Sequence, residues 1–309
     1  MDVVYTWVDD MFAGYGELLS THAKSKHDSN ANRTRDNLNL LKYSLRSLER
    51  FAPWRKKVFL FTCRPQIPSW LKISHPDMVI VHHDEVMPPD LLPTFNSFSI
   101  VSFLHKLPGL TRRFVYFEDD MILTAPTTHG DFEANDGRLI YHLKGGLPPA
   151  GQADHKISPW NAALSNNAGL LDGLSGTKRH QRVAPYPKPF DIGDWQDALA
   201  RWPDAFARTR RARFRSHDNI APEVLLPVYL VETGKAVRAP ENLTRSRLRY
   251  VGLENFALWN RLRLAGARRG SQAFLTLNDN FGNSPRPNAQ DVVRRFLESV
   301  LPEPSRFER

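Results

Sequence analysis

Apolar positions along this chain fall into short blocks with two distinct periods. "VVYTWV" (3–8) is an unbroken apolar and aromatic run that stops at Asp9 and Asp10, which predicts a strand. Residues 11–34 are polar and aperiodic and predict a loop. From 37 to 51, Leu38, Leu41, Leu45 and Leu48 recur at helical spacing, and Pro53 ends the predicted helix. Strands follow at 57–62 and 78–82 ("MVIVH"), then the Pro-rich connector "VMPPDLLPTF". Ile100, Phe103, Leu104 and Leu107 mark a helix over 97–107, closed by Pro108 and Gly109. "FVYF" (114–117) is the next strand. Strand, helix, strand, strand, helix, strand in succession predicts an α/β fold with a mostly parallel central sheet.

The pattern loosens after that. Residues 144–190 are rich in Gly, Pro and Asn and predict long loops around a short helix. Helices are predicted at 191–201 and at 221–233, where Pro222 suits a first turn. "AFLTLND" (273–279) predicts a strand that again ends in an acid, and Val292, Val293, Phe296, Leu297 and Val300 give a last amphipathic helix over 289–300. No repeat or linker interrupts the chain. One catalytic domain over 1–309, with a helical, loop-rich insertion at about 144–250, is the simplest organisation.

Composition narrows the class. With 309 residues, 41% hydrophobic and 24% charged, the chain suits a globular protein with a sizeable core. No apolar run approaches the roughly 20 residues of a membrane-spanning helix. "MDVVYTWVDD" has no basic segment before its apolar run, so no secretory leader is expected. The single cysteine, Cys63, excludes an internal disulfide and fits a reducing, cytoplasmic compartment. It follows "VFLF", where a small core hydrophobe is expected rather than a reactive thiol. The glycosylation-like triplets at Asn32 and Asn242 carry little weight without a secretion signal. The net charge of +9 suits phosphorylated substrates, nucleic acid, or peripheral attachment at the anionic inner face of a membrane.

The candidate chemistry sits at strand ends. Strand-like runs stop at Asp9-Asp10, at Glu118-Asp119-Asp120 and at Asn278-Asp279. In open α/β sheets, ligands lie beyond the carboxyl ends of the strands. Clustered carboxylates repel one another unless a cation lies between them, and Mg²⁺ typically takes one or two carboxylates plus substrate phosphates. The same acids would also suit turns and helix starts, where Asp is common. "RTRRARFRSHDN" (208–219) packs five arginines and His217 into twelve residues: a phosphate clamp of guanidinium forks, or a solvated basic face. Only Phe206 and Phe214 lie near it, fewer aromatics than a nucleic-acid partner would want. No GxxxxGK[ST] or GxGxxG is present, which removes the P-loop and dinucleotide readings.

"DVVYTWVD" (2–9), "RDNLNLLKYSLRSLERFAPWRKKVFLFT" (35–62), "IPSWL" (67–71), "LPTFNSFSI" (92–100), "LHKLPGLTRRFVYFEDDMIL" (104–123), "FRSHDN" (214–219) and "LTLND" (275–279) occur in order. Together they resemble the Stealth-type hexose-1-phosphate phosphotransferases, which include bacterial capsule polymerases and the N-acetylglucosamine-1-phosphotransferase of lysosomal targeting. The resemblance implies a nucleotide-sugar-transferase-like (GT-A, Rossmann-like) fold. It also implies transfer of a sugar-1-phosphate, such as N-acetylglucosamine-1-phosphate, from a UDP-sugar to a carbohydrate hydroxyl. The products are a phosphodiester and UMP. Residue by residue, it implies that Asp119 and Asp120 hold Mg²⁺ or Mn²⁺, that Asn278 and Asp279 complete the metal shell, and that Arg215 faces the phosphates. It implies a donor-binding part in Asp2, Tyr5, Thr6 and Trp7 with Arg35, Asp36 and Asn37. Tyr5 and Trp7 would equally suit the core, and Asp36-Asn37 a helix cap. The family's third block carries a histidine, read as the general base, just ahead of a Pro-rich turn. Here that turn is "VAPYP" (183–187) without one. His180 is the expected substitute and His217 the reserve. An ordinary metal-dependent glycosyltransferase and a non-enzymatic basic binding module are the competing readings.

Overall fold

The structure is a computed structural model describing residues 1–25, 28, 35–36, 38–152, 156–175, 179–269, 272–282 and 284–309. Asn37 and Asn32 lie outside the described residues. The first half runs β1 (Asp2–Trp7), α1 (Tyr15–His22), α2 (Leu40–Phe51), β2 (Val58–Thr62), β3 (Met78–His82), α3 (His83–Val86), α4 (Ser97–Val101), β4 (Arg113–Glu118), β5 (Met121–Leu123), β6 (Ile140–Tyr141) and β7 (Leu143–Gly146). The second half runs α5 (Pro159–Ser175), β8 (Gln181–Val183), β9 (Lys188–Asp191), α6 (Ile192–Arg201), α7 (Pro203–Arg211), α8 (Pro222–Glu232), β10 (Val237–Arg238), α9 (Glu241–Arg247), β11 (Leu248–Glu254), α10 (Ala257–Arg269), β12 (Phe274–Asn280) and α11 (Pro287–Val300).

The central sheet has the order β3-β2-β1-β4-β9. Its first four strands are parallel and β9 is antiparallel to β4. Apolar runs such as "VFLF" suit strands covered on both faces, and β2 is buried along its whole length, Thr62 included. Helix α2 covers one face. Its apolar stripe lies inward, with Leu41, Leu45 and Leu48 buried in the main core and Leu38 and Leu40 in a second. The helix begins at Leu40 rather than 37. Asn39 adopts a left-handed conformation (φ 55°), and the Leu40 amide donates to Asp36 Oδ1 at 2.8 Å, so Asp36 caps the helix from outside.

The predicted 97–107 helix divides into α4 and a separate 3₁₀ turn at 104–106. Two expectations change more. Within 11–34, residues 15–22 are helical (α1). The stretch 144–190 contains a 17-residue helix, α5, the strand β8 and most of β7 and β9. Within the 144–250 segment, β9 extends the central sheet, and helix α8 is buried on all sides from Pro222 to Leu230. Helix α8 packs against α4, α5, α6 and β8.

A second, three-stranded sheet has the order β11-β12-β5. Strand β4 ends at Glu118, and after Asp119 and Asp120 the chain enters β5 of this other sheet. The acidic pair therefore sits at the junction of two sheets. Among the described residues, no helix is long and apolar enough to cross a membrane.

Candidate functional site

Parallel pairing of β1 with β4 puts Thr6 beside Glu118, so the carboxyl ends of both strands open on one edge. Antiparallel pairing of β12 with β5 matches Thr276 to Met121, and the Leu277 amide donates to the Asp120 carbonyl at 3.0 Å. Continuing that register brings Asn278 opposite Asp119. Three acid-ended strands from two sheets thus meet at one place.

The electrostatics follow from that crowding. Burial pushes the Asp119 carboxyl up to about 8, with further repulsion from Asp36, Glu118 and Asp279. Burial, then Glu118 and Asp119, hold Asp120 well above the ordinary carboxylate range, against the pull of Lys188. Burial raises Asp36 to about 6 despite bonds from the Leu40 amide and from Trp7 Nε1, the latter at 3.3 Å. Asp120 Oδ1 is buried and has no hydrogen-bond partner among the described residues. A nest of acids with an unmatched oxygen suits a cation. No group of three or more His, Cys, Asp or Glu side chains gathers into a metal cage among the described residues. The partial set fits Mg²⁺ or Mn²⁺, which completes its shell with water and phosphate oxygens.

Beside the acids lies a cationic group. Lys188, on β9, is buried and reaches Glu118 Oε1 at 3.0 Å. Arg215 forms no ion pair among the described residues. Its guanidinium lies 4.4 Å from the centre of the Phe98 ring and 5.7 Å from that of Trp160, with Nε donating to Ser97 Oγ at 3.0 Å. Burial lowers its pKa, opposed by Glu223, Glu118 and Tyr116. The loop carrying it is tied at every turn. Asn219 Oδ1 accepts from the Ser216 amide and from Asn96 Nδ2, and Asn166 Nδ2 donates to the carbonyls of His217 and Asn219. The other arginines of the run do not join the site. Arg210 bonds Ser102, Arg213 reaches the Leu92 carbonyl, and Arg208 and Arg211 are exposed on α7. The five-arginine clamp reduces to one arginine, because Arg208, Arg210 and Arg211 lie on α7 and Arg213 turns to the Leu92 carbonyl.

The remaining expected residues separate. Trp7 and Asp36 join the acidic edge through their mutual bond. Thr6 bonds the Tyr116 hydroxyl at 2.9 Å on the sheet. Tyr5 is fully buried and meets Ser44 Oγ at 2.8 Å, a core strap between β1 and α2. Arg35 forks onto Asp10, with Nε to Oδ1 at 2.8 Å and Nη2 to Oδ2 at 3.0 Å. Asp2 departs from the expected grouping. It lies at the opposite end of β1, roughly 17 Å from Trp7 at about 3.3 Å per residue. Its carboxylate is used by the amides of Lys57 and Thr111. Cys63 is half-buried, and burial raises its thiol pKa, so it is no thiolate nucleophile.

His180 is the larger departure. It is buried between two carboxylates, Nδ1 at 2.8 Å from Glu232 Oε1 and Nε2 at 2.9 Å from Asp172 Oδ1. Burial pulls its pKa down, but the two carboxylate bonds outweigh it and the net shift is upward. An imidazole held protonated with both nitrogens bonded cannot accept a proton. It also sits at the Glu232 end of α8, the end remote from Arg215. The expectation of His180 as general base therefore fails on geometry. His217 Nε2 donates to the Ile157 carbonyl at 2.9 Å, which fixes that nitrogen as the protonated one.

Two residues went unread in the sequence. Lys188 lies in "PYPKPFD", where a lysine between prolines looks like a loop; a lysine inside an otherwise apolar stretch was the available signal. Glu223 follows Pro222 and looks like an ordinary first-turn acid. In the fold it is buried, its Oε2 lacks a partner among the described residues, and it faces Glu118, Lys188 and Arg215.

The Stealth protein conserved region 2 matches residues 33–140 and conserved region 3 matches residues 186–232, together half of the chain. An exopolysaccharide phosphotransferase of Streptomyces coelicolor is 35% identical over 313 residues, covering 100% of this chain and 52% of the relative. The capsular polysaccharide phosphotransferase SacB of Neisseria meningitidis serogroup A is 30% identical over 324 residues, covering 100% of this chain and 57% of the relative. The chain thus spans about half the length of these relatives. Among solved structures, the galactosyltransferase LgtC with donor and acceptor sugar analogues aligns over 97% of this chain and 95% of its own, with a TM-score of 0.45 at 10% identity.

Proposed function

The chain belongs to the Stealth protein family, and from that premise we propose that it transfers a sugar-1-phosphate from a UDP-sugar to a carbohydrate hydroxyl. The donor we propose is UDP-N-acetylglucosamine, and the setting is synthesis of a bacterial capsule or surface polysaccharide. The observation that carries this reading is the meeting of opposite charges at one sheet edge: Asp120 beside Asp119 has a buried oxygen unmatched among the described residues, and the Arg215 guanidinium, which forms no ion pair among them, lies within the field of the neighbouring Glu118. Phosphoryl transfer needs little covalent help from a protein. It needs positioning and charge stabilisation on the phosphate oxygens.

Asp119 and Asp120, with Asn278 and Asp279 alongside, would hold Mg²⁺ or Mn²⁺, which when bound would neutralise charge on the donor phosphates. The chain's own groups do the rest. The Arg215 fork, fixed by Ser97, Phe98 and Trp160, binds two oxygens of the phosphate to be transferred. Lys188 restrains Glu118, so that this third acid does not compete for the cation. Asp36 holds Trp7 at the rim, where the donor's nucleoside would lie, and Arg35 braces Asp10 behind it. The fate of the donor's β-phosphate tests the reading, as set out at the close of the Discussion.

We also propose that the protein works against an anionic membrane surface. Helix α10 is inverted: Asn260 and Leu264 are buried, while Leu258, Trp259 and Leu262 are 47–59% exposed, with Tyr250 and Phe256 exposed beside them. Residues 241–269 carry seven arginines and two glutamates. Aromatic and leucine side chains bordered by arginine suit the interface of an acidic bilayer. Tyr250 neighbours Asp120, so this surface flanks the site. Co-sedimentation should occur with vesicles containing an anionic phospholipid and fall sharply for Leu258→Asp/Leu262→Asp. Equal binding of the variant, or no binding by the wild type, contradicts the membrane role.

A further inference from the structure

With His180 locked between carboxylates, the hydroxyl that attacks phosphorus still needs a group to take its proton. We infer that Glu223 is that group: its carboxylate accepts the proton of the acceptor hydroxyl as the oxygen attacks the β-phosphorus. The inference rests on the phosphotransfer reading above and names a residue which that reading leaves open.

The geometry is specific to this glutamate. It occupies the first turn of α8, just past the Arg215 loop. The helix places it nine residues from Glu232, roughly 13 Å at about 1.5 Å per residue, so Glu223 and His180 occupy opposite ends of α8. The side chain is 6% exposed, and Oε2 is buried with no hydrogen-bond partner among the described residues. A buried acceptor left unmatched destabilises the fold. Its persistence beside a charged site points to use by a ligand.

The charged groups facing it can be named from each packed element. Glu118 comes from β4, Lys188 from β9, and Arg215 from the loop before α8. Helix α4 brings no titratable side chain. Asp172 of α5 is engaged with His180, and on α6 Asp197 pairs with Lys235, which also faces Asp194. Arg182 of β8 lies by Tyr250. Burial and then Glu118 push Glu223 up to about 7, while Lys188 and Arg215 restrain the rise. An acid poised there is ionised often enough to accept a proton and basic enough to hold it.

The step balances without another reactant. The acceptor O–H bond breaks and its proton goes to Glu223. The acceptor oxygen bonds to the β-phosphorus, and the bond from that phosphorus to the oxygen bridging it to the α-phosphate breaks. UMP leaves with the electron pair. Arg215, whose charge is felt at Glu223, is placed to steady the phosphate during the exchange.

The test compares wild type, Glu223→Gln and Glu223→Asp across pH, with UMP release as the rate and UDP-sugar binding measured separately. Glutamine keeps the shape and removes the base. Turnover by Glu223→Gln should fall roughly 10²–10⁴-fold, with UDP-sugar affinity within a few-fold of wild type and a melting temperature no lower. For the wild type, kcat/KM should rise with pH through about 7 as the carboxylate loses its proton. That limb should move in Glu223→Asp and vanish from the residual rate of Glu223→Gln. Full turnover by Glu223→Gln, or an unchanged limb in it, overturns the assignment. A melting temperature that falls with the rate assigns Glu223 to folding and overturns it too. Wild type that releases no UMP with any acceptor overturns the phosphotransfer reading beneath it.

Discussion

Asp120→Ala lowers phosphotransfer by about 10²-fold or more, and excess chelator does the same to the wild type. The effect is large because Asp120 stands where β4 leaves one sheet and the chain joins another, with Oδ1 buried and unmatched. Glu118 and Asp119 crowd it, and Lys188, the cation that opposes them, is already bonded to Glu118. The wild type without metal carries this repulsion as a stability cost. A carboxyl whose folded pKa lies above its unfolded value is disfavoured once pH exceeds 3.8, and the cost grows until the folded pKa is passed. At neutral pH two results follow. Divalent metal raises the melting temperature of the wild type and leaves Asp120→Ala nearly unmoved, and the metal-free variant melts no lower than the metal-free wild type. Turnover that survives chelation, or a variant that still gains stability from Mg²⁺ or Mn²⁺, removes Asp120 from any metal role.

Arg215→Lys is expected to lower kcat by roughly 10²–10³-fold while the protein stays folded. Lysine keeps the charge and loses the planar fork. It also loses the stack on Phe98 and the reach to Ser97 that hold the fork still. The surrounding loop does not depend on the guanidinium, since Asn96, Asn166 and Asn219 tie its backbone independently. KM for the donor should change far less than kcat if the fork acts on the phosphate in the transition state. Unchanged kcat would return Arg215 to a packing role.

The acid-ended strands were readable because each follows an apolar run: "VVYTWV", "FVYF" and "AFLTL" each stop at a carboxylate or its neighbour. Periodicity finds such strands, and a parallel sheet puts their ends on one side. The meeting of Asp279 with Asp119 was expected from the acid-ended strands and the family resemblance, but the second sheet that brings it about was not readable. Its strand β11 lies in "LRYVGLE", where apolar residues do not alternate regularly. Helix α5 was shortened in the reading because "SNNAGLLDG" has the glycines and asparagines of a loop. In the fold Asn167 earns its place by bonding the Ala221 backbone at 3.0 and 3.1 Å. His180 was misplaced for a related reason. Closeness in sequence to "VAPYP" suggested the site, whereas its partner Glu232 is 52 residues away and invisible to local pattern. Lys188 and Glu223 matter only through burial beside other charges, and residue spacing carries no record of that.

The most direct measurement of the account follows one atom. UDP-N-acetylglucosamine labelled at the β-phosphate is supplied with Mg²⁺, the protein and a panel of carbohydrate acceptors. Attack at phosphorus predicts label in a sugar phosphodiester and unlabelled UMP. Label retained in UDP, with an unlabelled glycan as the other product, would mean that bond breaking occurs at the sugar carbon, and would contradict phosphotransfer at the Asp119, Asp120 and Arg215 edge.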